Sequence, residues 1–410
     1  MEIPEGWKEG KIADLISRLD AGVSVNSGDR PANADEQAIL KTSCVSEWVF
    51  DPCQNKVVTS NAEKSRLKEP VQSNSIIISR MNTPALVGAS AYIESDYTNL
   101  FLPDRLWQAK PLNNSVCTKW LANFLGSRRG RFTLSSLATG TSGTMKNITK
   151  PDVFSMRILI PPLPEQKKIA EILSTWDRAI EVVEGLIENS QAQKKALMQQ
   201  LLTGKKRLPG FDGEWETIRL KSVLHEEKTR NRNNQIQKVL SITNHSGFVL
   251  PEEQFSKRVA SKNVTNYNVV KKGQYGYNPS RLNVGSFARL DKHDIGILSP
   301  MYVVFSVDEK VLNSDYFLSW MSTNEANQRI ISNAQGSVRD SVGFNVLCSF
   351  PFKLPPFDEQ TAIAAILSDA DREIQLQQNQ LQHLKSEKSA LMQQLLTGKR
   401  RVKIDKEAAA

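Results

Sequence analysis

The clearest feature of the hydrophobic pattern is a long helical segment that occurs twice in the chain. Residues 161–208, which begin PPLPEQ and end LLTGKKRL, align without a gap with residues 355–402, which begin PPFDEQ and end LLTGKRRV. After its opening residues, neither copy contains another proline. Because proline is tolerated before a helix and in its first turn but not inside it, each copy is predicted to form one uninterrupted helix. Each helix is expected to span roughly 38 residues, or about 57 Å.

Within each copy, apolar residues recur at spacings of three and four, the pattern of a coiled-coil seam. The seam of the first copy is Leu173, Trp176, Ile180, Val183, Ile187, Ser190, Lys194, Leu197 and Leu201. That of the second copy is Leu367, Ala370, Ile374, Gln377, Leu381, Leu384, Lys388, Leu391 and Leu395. A helix this long needs a partner along its length, so we expect the two copies to pair with each other. The short connection 205–215 favours antiparallel pairing, with the globular segments at opposite ends.

The residues at the ends of the two copies match the known preferences of helix termini. Asp358 is a candidate N-cap of the second helix, and Pro164 lies at the first helical position or just outside the first helix. Gly204 and Gly398 stand where a left-handed residue commonly ends a helix. Three basic residues follow each glycine and oppose the negative end of the helix dipole.

The remaining sequence forms two globular segments, residues 1–160 and 205–354, each followed by one copy of the helix. Several landmarks recur in the same order in both segments. They are a tryptophan before a short apolar helix (Trp7, Trp215), a strand ending in Ser-Arg-x-Asn (75–82, 275–283), a helix (118–132, 314–331), an Ala-x-Gly loop and a strand (153–160, 346–354). This mixture predicts an α+β fold: two globular α/β domains separated by two long helices, 161–204 and 355–402, which form an antiparallel coiled coil with an internal pseudo-twofold repeat. The tail 403–410 is expected to be disordered.

Composition narrows the class of protein further. A chain of 410 residues with 40% hydrophobic residues is expected to contain two or more globular domains. The net charge of +9 favours a polyanionic partner without requiring one. The sequence contains no apolar run of membrane-spanning length and no signal-peptide pattern at its start. The four cysteines show no CxxC spacing, which is typical of reduced thiols in a cytoplasmic protein.

Motifs that carry chemistry are missing from the sequence. There is no GxGxxG, no P-loop, no HExxH and no GxSxG, and the four histidines are scattered. Tyr277-Asn278-Pro279-Ser280 shares only part of the Asn-Pro-Pro-Tyr loop of adenine methyltransferases, and a strand that ends in a turn accounts for it equally well. We therefore expect no catalytic residue, no metal site and no cofactor.

The candidate binding residues are polar and basic side chains in loops that recur in both segments. The first segment offers Ser79, Arg80, Asn82, Thr83, Thr141, Ser142, Thr144 and Lys146, with the basic run Arg128, Arg129 and Arg131. The second offers Asn278, Ser280, Arg281, Asn283, Ser337 and Arg339. Arginine can read guanine, asparagine can read adenine, and Gly/Ser/Thr loops can hold phosphates. Alternatively, Ser-Arg-x-Asn simply ends a strand in a solvated turn, and the arginine run is a solvated helix face.

Taken together, these residues resemble the specificity subunits of type I restriction–modification systems over essentially the whole chain. The resemblance rests on the duplicated PPLPEQ…ALMQQLLTGKKRL and PPFDEQ…ALMQQLLTGKRRV, on YNPSRLNVGS and on the Ala-x-Gly loops. It implies two target-recognition domains, each reading one half of a bipartite site in double-stranded DNA through the major groove. It also implies that the helices set the gap between the half-sites and dock two modification (methyltransferase) subunits, which restriction subunits then join. The specificity subunit itself performs no chemistry in this family.

Two other classes of function stay open at this point. One is a DNA adenine methyltransferase or nuclease that carries recognition domains of its own, although the missing motifs argue against it. The other is a coiled-coil adaptor whose globular segments bind something other than DNA. Salt-dependent binding of duplex DNA separates the adaptor from a DNA reader.

Overall fold

The chain folds into two compact units, each built from two separate stretches of sequence. The computed structural model describes residues 3–46, 48–140, 144–244, 246–251, 263–334 and 341–404. Unit 1 comprises Met1–Glu184 and Gln380–Ala410, and unit 2 comprises Gly185–Asn379. Each unit therefore contains one globular segment together with one end of each long helix.

The globular part of unit 1 consists of antiparallel sheets with four short helices. Its strands are β1 (Lys8–Lys11), β2 (Ile16–Ala21), β3 (Ala38–Leu40), β4 (Asn55–Val57), β5 (Pro70–Val71), β6 (Ser75–Ser79), β7 (Met81–Asn82), β8 (Ser90–Ile93), β9 (Tyr97–Phe101), β10 (Leu106–Pro111), β11 (Lys146–Asn147) and β12 (Arg157–Ile160). Its helices are α1 (Asn61–Lys64), α2 (Thr118–Gly126), α3 (Arg128–Ser136) and α4 (Lys150–Ser155), followed by the first long helix, α5 (Leu163–Leu201). The sheets have the strand orders β2-β10-β6-β8, β4-β3-β9-β5, β1-β12 and β11-β7. Among the strands described for this unit, only β3 and β9 pair parallel.

Unit 2 has a similar plan, with fewer strands among its described residues. They are β13 (Glu216–Arg219), β14 (Leu224–Glu226), β15 (Ser241–Thr243), β16 (Gly247–Val249), β17 (Asn268–Lys271), β18 (Tyr275–Tyr277), β19 (Phe287–Arg289), β20 (Ile295–Leu298), β21 (Val303–Val307) and β22 (Pro351–Leu354). The helices are α6 (Ser314–Met321), α7 (Asn324–Ala334), α8 (Phe344–Cys348) and the second long helix, α9 (Phe357–Leu395). The largest sheet has the order β14-β21-β18-β19, and β13 pairs with β22.

The two sheet orders show that the repeat extends beyond the helices. Strands β2, β10, β6 and β8 of unit 1 take the places of β14, β21, β18 and β19 of unit 2, and β1-β12 corresponds to β13-β22. In both units the third strand in this order, β6 or β18, is completely buried and leads into the Ser-Arg-x-Asn loop. The prediction of an α+β fold with an internal repeat is confirmed.

The ends of the long helices belong to the hydrophobic cores of the units. In unit 1, Leu173 and Leu395 are buried in the same cluster as Trp107 and Trp120. In unit 2, Leu201 and Leu367 lie in a cluster that contains the stacked rings of Tyr275 and Phe305. Burial of these apolar faces is what allows helices of 39 residues to stay folded.

Within each unit the two helices pair antiparallel, as predicted. In unit 1, Lys388 forms an ion pair with Asp177, and Lys385 forms one with Glu184. Residue numbers therefore rise along one helix as they fall along the other. Unit 2 repeats this relation: Lys194 Nζ lies 2.5 Å from Asp371, and the Gln377 amide donates to the Ser190 hydroxyl at 3.1 Å. Every predicted seam position in both helices is buried or half-buried. The polar seam residues bond across the pair rather than interrupting it.

A buried carboxylate fastens the start of each long helix to the basic tail of the other. In unit 1, Glu165 is 3% exposed; it accepts from the Trp7 indole at 3.1 Å and binds the Arg401 guanidinium through both oxygens. In unit 2, Glu359 is fully buried; it accepts from the Trp215 indole at 2.9 Å and from Arg207 at 2.7 Å through both oxygens. Hydrogen bonding to these carboxylates raises the pKa of both arginines. We call each arrangement a carboxylate clasp.

The glutamine that follows each clasp carboxylate is also buried, and its side chain both donates and accepts hydrogen bonds. Gln166 accepts from the Cys117 amide and donates to the Pro161 carbonyl, both at 2.9 Å. Gln360 accepts from the Asn313 amide at 2.8 Å and donates to the carbonyls of Pro355 at 2.9 Å and Val311 at 3.0 Å. The repeated Glu-Gln therefore holds each helix to the globular part of its unit.

Several local predictions were wrong, because long-range strand pairing or a local helix cap overrides the hydrophobic pattern. The apolar residues after Trp7 and Trp215 form 3-10 turns, Ile12–Asp14 and Leu220–Ser222, because the flanking residues pair as strands. The helices predicted over 118–132 and 314–331 are each two helices, since Ser127 and Thr323 bond the amides of the next turn and start a new helix. The runs 153–160 and 346–354 are each the end of a short helix followed by a strand.

The helix ends agree with the sequence to within a residue or two. The second long helix begins at Phe357, so Asp358 lies in its first turn and is not the N-cap. The first begins at Leu163, which makes Pro164 its second residue. Gly204 and Gly398 have φ values of +70° and +71°, the left-handed conformation expected of them.

Two further features concern the chain as far as it is described. No helix of that part has the length and apolar character needed to cross a membrane. Over the same residues, His, Cys, Asp and Glu side chains nowhere form a group of three that could hold a metal ion. Of the tail that was predicted to be disordered, residues 405–410 lie outside the described range.

Candidate nucleic-acid interface

In unit 1, two of the predicted loops lie side by side. The loop that follows β6 continues into β7, and β7 pairs with β11 so that Asn82 is opposite Lys146 and Met81 is opposite Asn147. The chain before β11 is tied in by two hydrogen bonds of 2.9 Å between the backbones of Thr139 and Asn147. The pairing brings residues about 65 positions apart into one surface. We call residues 79–86 with 144–148 the unit 1 loop pair.

Not all predicted residues of the unit 1 loop pair face outward. Ser79 is fully buried and accepts from the Asn82 amide at 3.2 Å, while the Asn82 side-chain oxygen accepts from the Thr83 backbone at 2.8 Å. The Arg80 guanidinium lies 5.7 Å from the centre of the Trp107 ring, and Lys146 donates to the Gly140 carbonyl at 3.0 Å. Thr83 is exposed. Ser79 and Asn82 therefore shape the loop, and Arg80 and Lys146 have half-buried side chains at its surface.

In unit 2, the corresponding loop is a 3-10 helix, Pro279–Val284, that presents polar side chains to solvent. Asn278 is 9% exposed and caps this helix, because its side-chain oxygen accepts from the Ser280 amide at 3.1 Å. Leu282 is buried and anchors the loop, whereas Ser280, Arg281 and Asn283 are exposed. We call residues 278–286 the unit 2 loop.

Each of the two loops is held by an equivalent backbone hydrogen bond within its own unit. The amide of buried Ile148 donates to the Arg80 carbonyl at 2.9 Å, and the amide of buried Val342 donates to the Pro279 carbonyl at 3.0 Å. The segment after each Ala-x-Gly motif therefore returns to the end of the same buried strand in both units. Four predicted residues of these segments, Thr141, Ser142, Ser337 and Arg339, lie outside the described residues.

The arginine run of unit 1 divides into two roles. Arg128 and Arg129 are exposed in the first turn of α3, which Ser127 caps. Arg131 instead donates to the Ala85 carbonyl at 2.7 Å, and its guanidinium lies 5.4 Å from the centre of the Trp48 ring. Burial lowers the pKa of Arg131. Its guanidinium supports the unit 1 loop pair, and no signal in the sequence separates Arg131 from its neighbours.

The chemistry of these surfaces is that of hydrogen-bond donors and positive charge. Arg281, Arg128 and Arg129 offer exposed guanidinium groups, which match phosphate oxygens and the major-groove edge of guanine. Asn283 offers the donor and acceptor pair that matches adenine. Such groups bind and discriminate; they supply no nucleophile activated by a neighbouring base.

Comparison with known proteins agrees with this architecture. The model of the family described as type I restriction modification DNA specificity domain matches residues 4–189 and, a second time, residues 213–386. The putative type I restriction enzyme MjaX specificity subunit of Methanocaldococcus jannaschii is 23% identical over 429 aligned positions, covering 98% of this chain and 95% of that protein. The type I restriction enzyme EcoEI specificity subunit of Escherichia coli is 22% identical over 201, covering 49% of this chain and 34% of that protein.

Solved structures show the same fold. The crystal structure of the type I restriction-modification system S subunit from M. genitalium matches with a TM-score of 0.56 and 15% identity, covering 95% of this chain and 96% of that one. The two family matches coincide with the two halves of the internal repeat and together cover most of the sequence. The resemblance read from the duplicated motifs is thereby confirmed, and the chain belongs to the type I restriction–modification DNA specificity family.

Proposed function

We propose that this chain is the DNA-recognition subunit of a type I restriction–modification complex and acts in the cytoplasm. Residues 1–160 and 205–354 are its two recognition domains, and each reads one half of a bipartite duplex target through the major groove. The helices 161–204 and 355–402 fix the gap between the half-sites and dock two modification subunits, with restriction subunits joining them. The chain itself catalyses no step.

One observation carries this proposal: both units place a polar loop at the end of the same buried strand. In each, the returning segment is bonded to that loop through the Ile148 or Val342 amide. Two equivalent surfaces in one chain suit a target with two halves, because linking two weak readers makes the second binding event intramolecular. The net charge of +9 supplies the attraction for phosphates.

Within the loops, we assign DNA contacts to the basic and amide side chains that are exposed or half-buried. Arg281 and Asn283 read base edges in unit 2, and Arg80 and Lys146 face the DNA in unit 1. Ser79 and Asn278 hold the loops in shape from inside. Arg128 and Arg129 bind phosphates, since exposed arginines at a helix N-terminus attract anions.

Binding is tested with the purified full chain, alone and with its modification subunits, by fluorescence anisotropy on random-sequence duplexes. We expect affinity to fall steeply between about 50 and 200 mM salt, as the release of counterions requires. Methylome sequencing of cells with and without the complex then gives the target. Binding that ignores salt, or methylation without any bipartite motif, would contradict the proposal.

The assignment of the unit 2 loop is tested by Arg281→Ala. We expect relaxed preference at positions of one half-site, with the other half-site unchanged, and a cost of about 1–3 kcal/mol at the affected base. Lys292→Ala is the matched control, because Lys292 is an exposed basic residue of the same unit. It lies three residues after Arg289, and Arg289 pairs with Tyr275 at the start of β18, the end of that strand away from the loop. Equal effects of the two substitutions would refute the assignment.

The spacer role of the helices is tested by inserting one heptad within 367–395 alone. The expected result is an altered gap between the half-sites or loss of assembly. An unchanged gap with full activity would show that the helices do not set it.

A further inference from the structure

Unit 1 exposes two aromatic side chains beside its arginine run. Phe132 is 73% exposed and Trp48 is 42% exposed. A single exposed apolar residue is ordinary on a protein surface, but both of these rings adjoin the arginine run. Trp48 stacks with the Arg131 guanidinium, and Phe132 lies three and four residues after Arg129 and Arg128, on the same face of α3. We call Trp48 and Phe132 the aromatic platform.

The position of Trp48 is held by specific contacts. Its φ is +65°, a left-handed conformation that bulky residues rarely adopt, and strain of this kind concentrates at functional sites. The Arg131 guanidinium stacks on its ring at 5.4 Å. Gly126 provides the surface beneath the ring, since a Cβ at that position would lie 3.6 Å from the indole. The indole is therefore fixed in place while 42% of the residue stays open to solvent.

The aromatic platform is joined to the unit 1 loop pair and to positive charge. Arg131, which holds Trp48, also donates to the Ala85 carbonyl of the loop at 2.7 Å. Phe132 is the next residue of α3. Exposed Arg128 and Arg129 begin the same helix. One short helix thus carries an apolar contact surface and two phosphate ligands, anchored against a loop already assigned to DNA.

Unit 2 has the same helix among its described residues, but with different side chains at the corresponding positions. Helix α7 takes the place of α3, and Ile330 occupies the buried position of Leu134. At this alignment Asn324, Glu325 and Gln328 stand where unit 1 has Arg128, Arg129 and Phe132. On this helix, the combination of Phe132 with Arg128 and Arg129 is therefore present in unit 1 and not in unit 2.

We propose that Trp48 and Phe132 make an apolar contact with duplex DNA in the half-site bound by unit 1, between phosphates held by Arg128 and Arg129. The proposal rests on the function proposed above. Duplex DNA offers two apolar surfaces to such rings: the thymine methyl group in the major groove, and the face of a base at an unstacked step. The aromatic platform would cover either surface, and the charges of Arg128 and Arg129 neutralise the DNA phosphates beside it.

The test uses the full chain and duplexes enriched by the parent protein from a random-sequence library. Phe132→Ala is expected to weaken binding about 5- to 160-fold, the range that corresponds to loss of a ring that stacks on a base. The slope of log affinity against log salt should stay the same, because no charge is lost. Arg128→Ala and Arg129→Ala should each reduce that slope by about 0.9. Trp48→Phe should keep most of the affinity, and DNA should quench the fluorescence of Trp48.

Two controls separate a DNA contact from a general effect of surface change. Leu112→Ala removes an apolar side chain that is 48% exposed at the end of β10 away from the loop pair, and Gln328→Ala alters the matching position of unit 2. Both should bind as the parent does. Replacing thymine by deoxyuridine in the duplex distinguishes the two contacts: parent binding weakens if the platform covers a methyl group and is unchanged if it covers a base face.

The outcomes are distinguishable from failure of the proposed function. A parent chain that enriches no DNA overturns both. Normal enrichment by the parent, with Phe132→Ala binding as tightly as Leu112→Ala, overturns only the aromatic platform. Normal DNA binding by Phe132→Ala with lost capture of modification subunits would identify the rings as a protein-docking surface and equally overturn the proposal. Unchanged thermal melting of Phe132→Ala, expected from its exposure, excludes misfolding as the cause.

Discussion

Replacing Gln360 by leucine keeps the volume of a fully buried side chain but removes three hydrogen bonds. The Asn313 amide and the carbonyls of Val311 and Pro355 all lose the partner that the fully buried Gln360 side chain supplies. Each backbone group left unpaired away from water costs about 1–3 kcal/mol, so unit 2 should lose roughly 3–9 kcal/mol of unfolding free energy. The repeat supplies an internal comparison: Gln166 makes two such bonds, and Gln166→Leu should cost unit 1 roughly 2–6 kcal/mol.

Urea unfolding followed by hydrogen exchange with mass spectrometry measures the two units separately, because peptides report the unit to which they belong. Gln375→Leu is the matched control, since Gln375 is an exposed glutamine of the same helix in the same unit. It should change stability by no more than about 0.5 kcal/mol. The reasoning is refuted if Gln360→Leu is as stable as Gln375→Leu, or if its loss appears in unit 1.

Three further predictions concern the seam, an acid-sensitive ion pair and a carboxylate clasp. Leu367→Ala should destabilise unit 2 by about 2–5 kcal/mol because Leu367 is 1% exposed, whereas Leu376→Ala on the same helix, 63% exposed, should stay near zero in urea unfolding. The Glu36 pKa is lowered to about 2 by Arg30 and the Asn33 amide, so its contribution to stability is complete above the ordinary value of 4.5 and is lost as pH falls from 4.5 through about 2. Titration by NMR should return the pKa of Glu36 toward its ordinary value in Arg30→Ala; an unchanged value would exclude Arg30 as the cause. Arg207→Lys keeps the charge but cannot contact both Glu359 oxygens in the same way, so its melting temperature should fall below that of the exposed control Lys206→Arg, and equal melting would contradict this.

The long helices and their pairing could be predicted because the information is local and repeated. Apolar residues at spacings of three and four identify the seam, and the glycines at 204 and 398 mark the ends. The strand β6 could also be predicted, since Ile76 to Ile78 form a continuous apolar run, which is typical of a strand whose two faces are both buried. Local physics determines each of these features.

What the sequence could not provide depends on residues far apart in the chain. The run after Trp7 was predicted to be helical, but β1 pairs with β12, about 150 residues away, and leaves room only for a 3-10 turn. Similarly, the residue types of the loops indicated DNA binding, yet only the fold shows that Lys146 lies opposite Asn82 while Ser79 is buried. No hydrophobic periodicity in the sequence distinguishes Arg131, which supports the loop, from Arg128 and Arg129, which are exposed.

The carboxylate clasps give a physical reason why the helical segments of the two repeats resemble each other while the globular segments differ. In unit 1 the carboxylate comes from the first copy and the arginine from the second, and in unit 2 the origins are reversed. Each copy must therefore supply a buried acid at its start, an arginine after its end, and a seam that fits its counterpart. A change in either copy removes the partner of a buried charge in the other, which is destabilising. Arg281 and Arg80 are not tied to each other in this way, so the loop of one unit can change without a matching change in the other. Reading two different half-sites requires that independence.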